Sequence, residues 1–246
     1  MPRCSVLLLL PVPVSTVIVN KEGRYNFADI ILGGQDGIVN VLGIVLGVAA
    51  ATTDTRLIFV AGLAALGAES ISMGAVAYTS MVARRRKYLK ESSEEAMDLL
   101  KVPKKHTLKI KGIFRKWGYR EKEADSLSKG IMSNPKAAKD FMLSFERNVA
   151  NVDAGAPGRS FVTVLAATVI GSAIPLVPFI FFTKDIMAGA IGAVIVSGIA
   201  LFSMGYYEAK TTIGSLWRSG VQLLIIGLAA GFAGYLIGHF VGALPI

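Results

Sequence analysis

The sequence is poor in the residues on which disulfide scaffolds, zinc proteins and most enzymes depend. Its 246 residues include one cysteine, Cys4, and two histidines, His106 and His239. A single cysteine excludes an intramolecular disulfide framework, and without clustered cysteine or histidine we expect no tight tetrahedral zinc site. We expect both histidines to have surface or packing roles. The sequence shows no Ser/His/Asp or Cys/His arrangement and no glycine-rich phosphate loop, so it predicts neither an enzyme nor a permanently bound cofactor.

Apolar residues are abundant instead. Hydrophobic residues make up 53% of the chain and the mean hydropathy is +0.56, which is too apolar for an ordinary soluble globule. A helix needs roughly 20 apolar residues to cross a hydrocarbon core about 30 Å thick. Five stretches meet this requirement, and we number them spans one to five: residues 30–51, 57–82, 161–182, 186–207 and 221–244. The sequence therefore predicts an all-α membrane protein with five transmembrane helices.

Basic residues divide the chain into regions. The formal charge is +9, and most Lys and Arg residues lie between Arg84 and Arg159. We expect an N-terminal cytosolic tail (1–29), spans one and two (30–82), a basic cytosolic insert of three to four helices (83–159) and spans three to five (160–246). Cytosolic loops accumulate Lys and Arg, so the N-terminus is expected in the cytosol and the C-terminus outside or in a lumen. The basic insert indicates contact with anionic lipid headgroups rather than nucleic acid.

An additional apolar run at residues 5–19 precedes the first span. It is short for a span and contains Pro11 and Pro13. We expect a disordered or interfacial tail there, and a sixth span or a signal anchor is the alternative.

Acidic side chains occur inside two of the spans. Such groups are costly in hydrocarbon, so they usually face a cavity, a partner or a transported ion. Asp36 lies in span one with Asn40 one turn later, and Glu69 lies in span two with Met73 one turn later. Carboxylate, amide and thioether ligands suit Fe(II) or Mn(II) better than Ca(II) or Mg(II). The simpler alternatives are that Met73 only fills a packing gap and that Asp36 caps a re-entrant start of its span.

Small residues and prolines mark the packing of the spans. Span one carries Gly33, Gly37, Gly43 and Gly47, and span five carries Gly227, Gly231, Gly234, Gly238 and Gly242. Glycine stripes let membrane helices approach closely, either within one chain or between two copies. Five spans leave little room for a polar pathway, so we favour a homodimer. Pro175 and Pro178 are expected to kink span three.

Four segments resemble the vacuolar iron transporter family. They are Gln35-Asp36-Gly37 in span one, Glu69-Ser70-Ile71-Ser72-Met73-Gly74 in span two, Pro175-Leu176-Val177-Pro178 in span three and Asp140-Phe141-Met142-Leu143-Ser144-Phe145-Glu146 in the insert. The resemblance covers residues 25–241 in order. It implies a homodimeric exchanger that moves Fe(II), often also Mn(II), out of the cytosol against protons, with the ion path between the subunits. The membrane is expected to be the vacuolar membrane in a eukaryote and the plasma membrane in a prokaryote.

The same resemblance assigns roles to individual residues. Asp36 and Met73 match the family's span-one aspartate and span-two methionine. A further glutamate of the plant members falls at Ala65, and Glu69 is expected to substitute for it.

In the insert, the resemblance to the family is only partial. Met142 and Glu146 match metal ligands of the family, whereas four of its other glutamates fall at Ala96, Leu99, Thr107 and Ile110. Glu94 and Glu95 are candidate replacements, but their basic surroundings predict weak or absent metal binding. The alternative function is a membrane scaffold or lipid-binding protein whose basic insert recruits partners.

Overall fold

The computed structural model describes residues 20–211 and 214–243, and within these ranges every regular element is helical. The apolar run at residues 5–19 lies outside the described residues. The helices are α1 (Asn20–Ala51), α2 (Thr55–Lys101), α3 (Pro103–Lys116), α4 (Glu121–Met132), α5 (Pro135–Phe145), α6 (Ala156–Ala173), α7 (Val177–Phe181), α8 (Ile186–Thr211) and α9 (Leu216–Gly242). A single 3-10 turn, Ile174–Leu176, joins α6 to α7.

Five helical segments are long and apolar enough to cross a membrane, which confirms the predicted spans. They are Phe27–Ala51, Thr55–Lys101, Ala156–Phe181, Ile186–Thr211 and Leu216–Gly242. Their outward side chains are also apolar: Val60, Ile71 and Phe232 are each more than 60% exposed. A soluble protein rarely exposes so much apolar surface to water, whereas lipid tails solvate such a surface well.

Two helices extend beyond the predicted apolar stretches. Helix α1 begins at Asn20, inside the region expected to be a tail, because a helix does not have to end where the bilayer does. Helix α2 contains 47 residues and is therefore about 70 Å long, more than twice the thickness of the hydrocarbon core. The helix ends at Lys101, and the next helix begins two residues later at Pro103.

The chain folds as two compact units. One comprises the described residues up to Ala77 and from Gly158 onward, and we call it the span unit. The other, Tyr78–Pro157, is the insert unit. Each has its own apolar core: Val41, Leu42, Ile58 and Phe179 are among the residues of the span-unit core.

Helices α1 and α9 pack so closely that their backbones touch. A Cβ added to Gly238 would lie 1.8 Å from the carbonyl oxygen of Gly47, and one added to Gly234 would lie 2.0 Å from that of Gly43. Neither Gly234 nor Gly238 could therefore carry a side chain, and their absence of a Cβ lets spans one and five come together within one chain. The glycine stripes therefore serve intramolecular packing and give no support to a dimer.

Span three changes its hydrogen bonding at its prolines. Pro175 lies in the 3-10 turn and Pro178 in the first turn of α7, and both are buried. Proline has no N–H to donate, so the α-helical ladder is interrupted here. The break leaves Leu176 and Phe179 packed in the span-unit core.

The insert unit is a small helical bundle with an aromatic cluster. Ile110, Phe114 and Met142 form its core with Ala124. The Asn134 side chain accepts hydrogen bonds from the N–H groups of Lys136 and Ala137 and so caps α5, which begins at Pro135. A cap of this kind stabilises a helix by about 1 kcal/mol.

Candidate functional site

Two acidic side chains meet inside the span unit. Asp36 on α1 lies about 14 Å along the helix from Phe27, where the span begins, and is therefore close to mid-membrane. Its carboxyl group lies close to the carboxyl group of Glu69 on α2. Both side chains are half-buried. The structure thus places the two acids predicted from the sequence side by side.

Two neutral side chains hold the Glu69 carboxylate. The Asn40 amide Nδ2 donates to Glu69 Oε1 at 2.5 Å. The Ser172 hydroxyl on α6 donates to Glu69 Oε2 at 3.5 Å. Gly37 makes room for this third helix, because a Cβ at that position would lie 2.6 Å from the Ser172 Oγ. Three helices therefore converge on one carboxylate, and we call Asp36, Asn40, Glu69 and Ser172 the acid-pair site.

The acid-pair site demands a positive partner. Two carboxylates in contact repel each other strongly in a low-dielectric medium, and a hydrogen bond between them requires a proton on one of them. A bound cation removes the same repulsion. Either a proton or a bound cation would therefore relieve the repulsion at this site.

Two methionines of the spans, Met73 and Met204, are placed differently. Met73 lies one turn after Glu69 on the same face of α2 and is half-buried, but none of the described hydrogen bonds reaches it. Met204 on α8 packs onto Gly34, with its Cε 2.9 Å from where a Cβ would be. Within residues 20–211 and 214–243, no three His, Cys, Asp or Glu side chains converge as a metal site. A metal at the acid-pair site would thus take only two carboxylates from one chain.

The metal-binding candidates of the insert are buried in its core or paired with basic side chains. Met142 is fully buried in the insert core. Glu146 is paired with Lys109, whereas Glu94 and Glu95 are both paired with Arg147. Each of these acids therefore already has a cation from the protein.

The roles of Ser172 and Arg147 were not predicted from the sequence. Ser172 is one serine in an apolar span, and nothing in its neighbours distinguishes it from a serine bonded to its own helix. Arg147 stands in a segment rich in basic residues, so only the fold shows that it faces acids. His106 was expected at the surface or in packing, and it is 3% exposed.

Comparison with known proteins adds an independent observation. A sequence model of the VIT family matches residues 27–239. Vacuolar iron transporter 1 of Oryza sativa subsp. japonica is 30% identical over 209 residues, which span 84% of this chain and 82% of that protein. Vacuolar iron transporter 1 of Arabidopsis thaliana is 27% identical, across 87% of this chain and 85% of that protein. Protein CCC1 of Saccharomyces cerevisiae is 26% identical, across 85% of this chain and 67% of that protein. The family match covers most of the residues and all five spans, so this chain belongs to the VIT family.

Proposed function

We propose that this protein moves a divalent transition metal, Fe(II) and/or Mn(II), across a membrane in exchange for protons. The observation that carries the proposal is the contact between Asp36 and Glu69 inside an apolar bundle. Several relatives are named vacuolar iron transporters, which supports iron as a substrate. The carboxylates of Asp36 and Glu69 and the amide of Asn40 offer donors to such an ion, and Met73, one turn from Glu69, offers a thioether.

The acid pair accounts for exchange in physical terms. When the metal leaves, Asp36 and Glu69 are again two adjacent carboxylates, and taking up a proton relieves their repulsion. When a new metal ion arrives, it displaces that proton. Asn40 and Ser172 remain bonded to Glu69 and keep its carboxylate oriented for either partner. Each turnover then moves metal one way and protons the other.

The direction of transport rests on the charge distribution. The basic connections favour a cytosolic N-terminus, and the proposed direction is out of the cytosol and toward a proton-rich compartment. In a eukaryotic cell this would be the vacuole, and in a prokaryotic cell the exterior.

The path is proposed to lie between two copies of the chain. Asn40 is exposed in the single chain, and Asp36 and Glu69 are only half-buried, although all three belong to membrane spans. An amide facing lipid is costly, and a second copy placed against this face would cover it. A detergent-solubilised mass of twice the 26.1 kDa chain is expected.

Iron uptake into proteoliposomes tests the proposal. We expect Asp36→Asn to lower the initial rate of Fe(II) uptake at least tenfold, equivalent to about 1.4 kcal/mol, because one of the two carboxylates is lost. Asp54→Asn is the matched control: Asp54 caps the start of α2 through its bond from the Arg56 N–H, and asparagine caps a helix equally well. Equal uptake by wild type and Asp36→Asn would exclude this site, whereas uptake by wild type no greater than by protein-free liposomes would favour the scaffold alternative.

A further inference from the structure

One arginine of the insert unit lies among four carboxylates. Arg147 follows α5, and the acids Glu91, Glu94, Glu95 and Asp98 occupy one face of α2. The Arg147 Nε is 2.8 Å from Glu95 Oε2, its Nη1 is bonded to Glu91 and lies 3.4 Å from Glu94 Oε2, and its Nη2 is 3.8 Å from Asp98 Oδ2. All three guanidinium nitrogens therefore face acids.

The environment of this cluster differs from that of a surface ion pair. Glu95 is 2% exposed and the Arg147 side chain 26% exposed, so water screens their attraction only in part. The hydrogen bond to Glu91, followed by that to Glu95, raises the pKa of the Arg147 guanidinium above its ordinary value. The guanidinium is thus a permanent positive charge.

A buried histidine completes the cluster. His106 on α3 is 3% exposed, and its Nδ1 lies 3.2 Å from Glu95 Oε1. Neither atom has another hydrogen-bond partner, so each is satisfied only if a proton between them is donated by Nδ1 to the carboxylate. Glu95 is consequently held between an imidazole on one side and a guanidinium on the other.

We propose that the insert unit contains a cation site whose occupant is its own Arg147. With the guanidinium in place, Glu91, Glu94, Glu95 and Asp98 do not converge on one point as metal ligands, and Arg147 supplies the positive charge that a dication would otherwise bring. A dication would have to displace a charge that is tied covalently to the chain and is therefore present at a high effective concentration. The insert therefore folds without metal and has no metal-dependent state. Removal of the arginine leaves carboxylates and an imidazole, which are ligands for Mn(II).

This inference concerns the insert unit alone and does not depend on transport by the span unit. Tryptophan fluorescence can measure the unfolding of the insert alone, because the chain has two tryptophans and only Trp117 lies in the insert. Trp117 packs against Phe145 with ring centroids 5.1 Å apart, two residues before Arg147. Its fluorescence, in full-length protein carrying Trp217→Phe, reports the unfolding of the insert.

The experiment compares three proteins in chelator and in millimolar Mn(II): the Trp217→Phe parent, the parent with Arg147→Met, and the parent with Lys109→Met. The last is the matched control, because it removes one basic side chain from the Glu146 pair and leaves the Arg147 cluster intact. We expect the parent and the Lys109→Met protein to melt at the same temperature with and without Mn(II). We expect Arg147→Met to melt lower than the parent in chelator and to rise by about 5 °C or more in Mn(II).

An Arg147→Met protein that folds only with Mn(II) supports the proposal as fully as a rise in its melting temperature does. The proposal is overturned if Mn(II) stabilises the parent as much as the variant, if Mn(II) leaves the variant unchanged, or if the variant stays unfolded in both conditions. Any effect of Mn(II) transmitted from the span unit would raise the melting temperatures of the parent and the Lys109→Met control equally. It is thereby distinguished from binding at this cluster.

Discussion

At the scale of single residues, the decisive feature is the pairing of Asp36 with Glu69. Both acids were predicted from the sequence, since a carboxylate in an apolar span stands out against its neighbours. Asn40 was predicted from its spacing to Asp36, and the structure shows it bonded to Glu69 instead. Ser172 was not predicted, because a serine in a membrane helix commonly bonds to its own backbone. Polar residues can be found from sequence, but their partners on other helices cannot.

Gly37 allows a sharp test of how tightly this site is packed. A Cβ at Gly37 would lie 2.6 Å from both the Ser172 Oγ and the Thr168 carbonyl oxygen, and the carbonyl cannot move without the backbone. We expect Gly37→Ala to destabilise the protein by about 1–3 kcal/mol and to lower its melting temperature in detergent.

The matched control is Gly67→Ala, also in a membrane span. A Cβ there would meet nothing within 4 Å, so the change should be neutral or slightly stabilising. An equal loss of stability in both variants would contradict the packing described for Gly37.

At the scale of elements, apolar length predicted which segments are helical but not where the helices end. Helix α1 begins at Asn20 and α2 continues to Lys101, since the bilayer limits an apolar run and not the helix that contains it. The glycine stripes were recognised as close-packing faces. Their partner, span five against span one, was not predictable because stripes within a chain and between chains have the same pattern.

The short helices of the insert are joined by surface ion pairs whose effect depends on pH. Lys111 Nζ lies 2.6 Å and Arg115 Nη1 2.7 Å from the Glu121 carboxylate. The hydrogen bond from Lys111 is the largest influence that lowers the pKa of Glu121 below its ordinary value of 4.5. A depressed pKa means that the ionised form stabilises the fold above about pH 4.5, and that this stabilisation is lost as the pH falls through the folded-state value.

We therefore expect Glu121→Gln to lower the melting temperature of the insert by roughly 1–3 °C at pH 7, and by nothing measurable near pH 2. Trp117 fluorescence in the Trp217→Phe background measures both values. Lys122→Gln is the control, because the described ion pairs do not include Lys122. A difference of the same size at both pH values would show that the Glu121 charge is not the cause.

At the scale of the whole molecule, the two units treat their charged side chains differently because their surroundings differ. The span unit faces lipid with apolar side chains and keeps its acids together. The insert unit has an aromatic core and neutralises its acids with its own basic side chains. Sequence composition predicted five spans and a basic helical insert. It did not predict that Arg147 would fill the acidic cluster, because that contact joins residues that are far apart in the chain.

The most direct measurement of the central claim is the coupling between metal and proton movement in proteoliposomes. Metal uptake and internal pH are recorded together for wild type, Glu69→Gln and the surface control Glu121→Gln. Wild type and Glu121→Gln are expected to move protons out as Fe(II) enters, whereas Glu69→Gln should lose at least nine-tenths of both fluxes, because an uncharged amide cannot exchange a metal for a proton. Fe(II) uptake by Glu69→Gln with its proton counterflow intact would contradict the account.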